Sequence, residues 1–90
     1  MYFPTYYFFA DRRLINHKIK ALHVKDLDDC ELHCYRHDNC VSVNIKKDPD
    51  NATGQRECEL NNSTHMEHDE DLKVDNAYLY RGAKVIICNI

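Results

Sequence analysis

Ninety residues, 43% hydrophobic and 30% charged, suffice for one small domain and leave no room for a second. With no Trp and only two Gly, the composition excludes a propeller, a collagen and a glycine-rich phosphate loop, and a net charge of −3 excludes a globally basic nucleic-acid binder. A chain of this size buries roughly 60–65% of its unfolded surface, so five cysteines in it point to covalent staples in an oxidising compartment.

Residues 1–10 are aromatic and apolar but make a poor signal peptide: no basic residue opens them, Pro4 interrupts the run, and Asp11, Arg12 and Arg13 follow at once. No stretch reaches the roughly 20 apolar residues needed to span a bilayer, so no direct membrane insertion is expected. Six of the nine aromatics fall in the first nine residues, and residues 6–9 read as a buried strand. Residues 17–24 begin with strand-like alternation. Residues 27–37 are the clearest helix: Asp26 is a good N-cap, Asp29 stands three positions later, and acids fill the first turn, where the helix dipole favours them. Residues 41–45 alternate with Val41, Val43 and Ile45 on one face, and residues 46–54 carry every turn signal. Residues 56–60 alternate again with Cys58 and Leu60 inward. Residues 61–71 are polar and acidic, residues 77–81 form a last clear strand, and residues 85–88 a further short one. One helix among antiparallel strands is an α+β domain.

Cys30 and Cys34, spaced i, i+4, share a helix face with Cβ atoms about 5–6 Å apart, beyond the roughly 3.5–4.5 Å a disulfide needs. Each must therefore reach a different partner. Cys40 lies nearest to Cys34, after a turn, and Cys58 then falls to Cys30; Cys88 is left over. A rival assignment draws Cys30, His33, Cys34 and His37 toward zinc, but four ligands on consecutive turns of one helix cannot converge tetrahedrally. A site using two of them with Cys40 and Cys58 stays geometrically open. In the secretory pathway the sequons at Asn51, Asn61 and Asn62 would be glycosylation acceptors, in polar, turn-rich stretches.

These features together resemble the PAN/apple domain family. The carriers are the helix with Cys30 and Cys34, then Asp38-Asn39-Cys40-Val41-Ser42-Val43-Asn44, then Cys58-Glu59-Leu60-Asn61, then Asp75-Asn76-Ala77-Tyr78-Leu79-Tyr80. The likeness runs from about residue 8 to 81, and the run from Asn16 and His17 to Asn61, Asn62 and Ser63 is similar to the version in invertebrate multidomain extracellular proteins, often followed by EGF-like modules. The resemblance implies a single helix cradled by a curled antiparallel sheet and stapled by Cys30–Cys58 and Cys34–Cys40. Many members carry a third bridge between the segments flanking the sheet. Cys88 sits where its second half belongs, yet no cysteine precedes Cys30, so Cys88 is expected unpaired within this chain and Met1 reads as a truncated or misplaced start. The expected organisation is one domain over residues 1–90, with a core at about 8–81 and a tail at 82–90 that begins a linker in a longer parent chain.

Chemistry is sparse. Residues 48–59 place Asp48, Asp50 and Glu59 at EF-hand positions one, three and twelve, but Thr53 occupies the position that needs Gly, and a solvated loop is the better reading. Residues 65–71 could place His65, His68 and several carboxylates around a metal, but such a polar run is likewise read as a solvated loop, and neither a metal nor a cofactor is expected. Cysteines in disulfides offer no thiolate, and neither Gly-x-Ser-x-Gly nor His-Glu-x-x-His occurs, so no enzyme is expected. Between residues 12 and 25 stand Arg12, Arg13, Lys18, Lys20 and Lys25 with no acid. On one exposed edge they would bind sulfated glycans or an acidic protein surface. The resemblance implies a non-catalytic, secreted or ectodomain binding and adhesion module for protein or carbohydrate, within a larger mosaic protein. Alternatives are a glycosylated structural spacer and a small zinc protein.

Overall fold

The computed structural model describes residues 6–83. In chain order these form β1 (Tyr6–Leu14), β2 (Lys18–Val24), α1 (Leu27–Arg36), β3 (Ser42–Lys46), β4 (Arg56–Asn61), a short 3-10 turn η1 (Asp69–Asp71) and β5 (Leu72–Ala83). The five strands make one sheet in the order β1-β5-β3-β4-β2, every pair antiparallel. The fold is the expected α+β arrangement, a helix on an antiparallel sheet. The strand expected at residues 85–88, the tail beyond residue 83 and Cys88 lie outside the described residues.

The helix forms where its signals stand. The Asp26 carboxylate accepts from the Asp29 backbone N–H at 2.9 Å, satisfying one of the orphan donors of the first turn. At the other end the His37 N–H returns to the Cys34 carbonyl at 3.1 Å. Cys30 and Cys34 are fully buried on the inner face. They meet Val43, Ile45, Cys58 and Leu60 of the central strands and Val24 of β2, with Leu22, Leu27 and Leu79 packed around them. Disulfides join Cys30 to Cys58 and Cys34 to Cys40, with Cα separations of 5.7 and 5.1 Å. These bridges use the sulfurs that a zinc site would have needed as thiolates, which rules out the small-zinc-protein alternative built on them.

Two elements outrun their sequence signals. β1 continues past the aromatic run to Leu14, across a bulge where Asp11 takes a φ of 64°. β5 starts five residues before the apolar alternation at Ala77, because Leu72, Lys73 and Val74 pair with Leu14, Arg13 and Arg12. Between these pairs and Leu79, β5 swings away from β1 and pairs through Tyr78 with Lys46 of β3. Asp11 at the bulge forms an ion pair with Lys47 beyond the end of β3.

Candidate functional site

Strand alternation sends Val43, Ile45, Cys58 and Leu60 toward the helix and therefore Ser42, Asn44, Glu57, Glu59, Asn61, Tyr78 and Tyr80 to the opposite face. A solvated face is the simple expectation for Glu59, but it is only 2% exposed, and Ser42, Asn44, Asn61, Ser63 and Thr64 are buried with it. The cause is a second cover. The Asn44 side chain accepts from the Leu14 N–H at 2.9 Å and donates to the Leu14 carbonyl at 2.8 Å, so an amide side chain mimics a strand partner and ties β1 across the sheet. Glu59 receives the Arg13 guanidinium at 3.0 and 2.5 Å and the Asn44 amide at 3.0 Å, with the Lys18 ammonium 3.9 Å away. A buried carboxylate needs this full complement of donors. The hydrogen bond to Glu59 also holds the Arg13 pKa above its usual value.

Tyr78 lies on this face with its hydroxyl donating to Glu57 at 3.0 Å. Arg13 covers its ring with Cζ 4.4 Å from the centroid, and the Lys46 ammonium stands 6.0 Å from it. Burial, then the bond to Glu57, pushes the Tyr78 pKa well above the ordinary tyrosine value, so it remains a neutral donor. Beside it opens a groove of about 490 Å³ lined by His23, Lys46, Asp48, Pro49, Asp50, Gln55, Glu57 and Ala77. Its lining mixes a cation, three carboxylates, an imidazole and an amide, a set suited to hydroxyl-rich or cationic ligands. A second cavity of about 370 Å³ is lined by Arg13, Leu14, Ile15, Asn16, Lys18 and Glu59.

At the end of the same cover the crossover from β1 to β2 meets the 62–71 segment. Ile15 N–H donates to the Asp71 carbonyl and Asn62 N–H to the His17 carbonyl, each at 3.0 Å. This brings the His17 imidazole to the Asp71 carboxylate, Nε2 to Oδ2 at 2.8 Å, and stacks it on His68 with centroids 4.1 Å apart. His17 stands more than fifty residues before its partners, and nothing in local spacing announces it.

The five basic residues are spread over β1, β2 and the turn after β2, with Arg13 and Lys18 meeting at Glu59. Arg12 and Arg13 lie on β1 and Lys18 and Lys20 on β2, the two outermost strands of the order. Arg13 is committed to Glu59, while Lys18, Lys20 and Lys25 are exposed. Of the sequon asparagines, Asn51 and Asn62 are exposed. Asn61 is completely buried, and its amide nitrogen donates to Ser42 Oγ at 3.1 Å. A glycan on that nitrogen has no route out of this fold, which removes Asn61 from the expected acceptors.

A helix tied by one disulfide to β4 and by another to the turn before β3, over an antiparallel sheet, makes this a small disulfide-bonded α+β domain. The sequence model for the PAN domain matches residues 5–86, and the chain belongs to the PAN domain family. Members of this family are generally non-catalytic, typically extracellular modules that bind protein or carbohydrate. Neither the curated proteins nor the solved structures returned a match. No helix among the described residues is long and apolar enough to cross a membrane.

Proposed function

We propose that this domain is a non-catalytic extracellular binding and adhesion module of a larger mosaic protein, glycosylated at Asn51 and Asn62, whose protein or carbohydrate ligand enters the groove beside Tyr78. The observation that carries this reading is the groove itself, a mainly polar recess lined half by strand residues (His23, Lys46, Glu57, Ala77) and half by the loop between β3 and β4 (Asp48, Pro49, Asp50, Gln55). Its three carboxylates against one ammonium favour neutral saccharides or a basic peptide segment over sulfated chains. The test is binding of the disulfide-intact domain to arrays of neutral oligosaccharides and basic peptides, repeated with His23→Ala and Gln55→Ala. Both side chains are on the exposed rim, so these variants keep the fold. Loss of binding in the variants is the expected result. A ligand indifferent to both places the site elsewhere, and no ligand at all favours the structural spacer.

A second reading rests on β2, where Lys18, Ile19, Lys20 and Ala21 are all exposed on an edge strand. These lysines offer a short cationic edge to sulfated glycans. Retention on heparin that moderate salt abolishes, weakened by Lys18→Ala with Lys20→Ala, supports this reading; unchanged retention in the double variant sinks it.

A further inference from the structure

We propose that His17, His68 and Asp71 form a zinc-binding site that clamps the β1–β2 crossover to the 62–71 segment. One ligand atom from each residue lies within 4.8 Å of the other two. Two imidazoles and a carboxylate are a donor set that Zn²⁺ takes readily.

The backbone builds this placement. η1 is a 3-10 turn closed by Asp71 N–H on the His68 carbonyl at 2.9 Å, and in such a turn side chains three apart stand one above the other. His68 and Asp71 thus project together, and the two crossover hydrogen bonds bring His17 against them. The carboxylate is steered from its other side by the Asn16 amide, 3.4 Å from Asp71 Oδ1, the kind of outer support common around metal ligands.

Tetrahedral zinc asks for donors about 3.3 Å apart, given bonds of roughly 2.0–2.1 Å. His17 Nε2 and Asp71 Oδ2, at 2.8 Å, need open only slightly. His68 supplies the remaining movement, since its side chain is 41% exposed while those of His17 and Asp71 are 17% and 19% exposed. Three protein ligands leave a fourth position for water or for a donor from a partner. Glu70, whose carboxylate lies 3.8 Å from His68 Nδ1, and Asp69 add negative charge nearby, which draws in a dication.

The test is thermal unfolding of the disulfide-intact domain with and without zinc chloride, in wild type, His68→Ala, Asp71→Asn and His33→Ala. His68→Ala removes a half-exposed ligand and Asp71→Asn keeps the shape of the carboxylate, so neither is expected to unfold the chain. His33→Ala controls for an exposed histidine elsewhere. At zinc a hundredfold above its Kd, the wild-type midpoint should rise by roughly 10–20 °C. His33→Ala should keep the rise, and the other two variants should lose most of it. Cobalt substituted for zinc should show visible d–d bands without thiolate charge transfer. No zinc-dependent rise in wild type, or the same rise in His68→Ala, overturns the assignment.

Discussion

The ion pair between Arg13 and Glu59 gives the sharpest test of the second cover. Arg13→Met keeps an unbranched apolar side chain and removes the guanidinium, together with its contact to the Tyr78 ring, leaving a carboxylate that is 2% exposed with the Asn44 amide and the more distant Lys18. Removing one partner of a buried pair costs about 3–5 kcal/mol. Here the Arg13 side chain is 31% exposed and Lys18 can move closer, which lowers the expected cost to about 2–3 kcal/mol. For a domain of this size that is a fall in unfolding midpoint of roughly 10–20 °C. Urea or thermal unfolding of Arg13→Met, Glu59→Gln and the double variant closes a thermodynamic cycle, with a coupling of at least about 1 kcal/mol expected. If Arg13→Met costs under about 0.5 kcal/mol, the level of an ordinary surface substitution, or the coupling is near zero, the carboxylate does not depend on its cation and the reasoning fails.

Gly82→Ala should destabilise by about 1–3 kcal/mol in equilibrium unfolding, because an added Cβ would stand 2.3 Å from the hydroxyl of the buried Tyr80 and force that ring to move. Replacing Cys30 and Cys58 together by Ala should cost about 3–4 kcal/mol in urea titration, the chain-entropy value for a bridge spanning 28 positions, and more than replacing Cys34 and Cys40, which span 6. His65 packs edge-on against Tyr7, Phe9 and Tyr80, and burial lowers its pKa below the ordinary 6.5. Below about pH 6.5 the unfolded chain therefore takes up a proton that the folded chain resists. Stability should fall as pH drops from 6.5 through the lowered value, and His65→Phe should flatten that region of the pH–stability curve.

The helix side of the molecule was legible because its signals are local. Asp26 caps, Cys30 and Cys34 share a face four residues apart, and Val43, Ile45, Cys58 and Leu60 alternate; each can be read within one element. The opposite face was not legible. Glu59 and Asn44 sit where alternation predicts solvent, and their burial depends on Arg13 and Leu14 arriving from an outer strand. Such polar complementarity leaves no periodic trace. The layout of the cationic stretch was hidden for the same reason: the crossover places Arg12 and Arg13 on β1 and Lys18 and Lys20 on β2, and Glu59, more than forty residues later than Arg13, is what Arg13 and Lys18 meet. His17 beside Asp71 is likewise a product of that crossover.

The pairing of Tyr6 with Ala83 brings the two ends of the described chain side by side. Tension applied through them loads β1 against β5 end-on, so the hydrogen bonds break in succession, as a zip opens. Once β1 and β5 have peeled away and β2 has left β4, the pull reaches Cys30 from one direction and Cys58 from the other, and it passes through their sulfur–sulfur bond. The helix from Cys30 onward, β3 and the first half of β4, enclosed between the two cysteines, then carry no load. A stretched chain would thus lengthen by β1, β2 and β5 while the stapled centre keeps its shape, until a reductant cuts the bond and adds the enclosed loop to the slack.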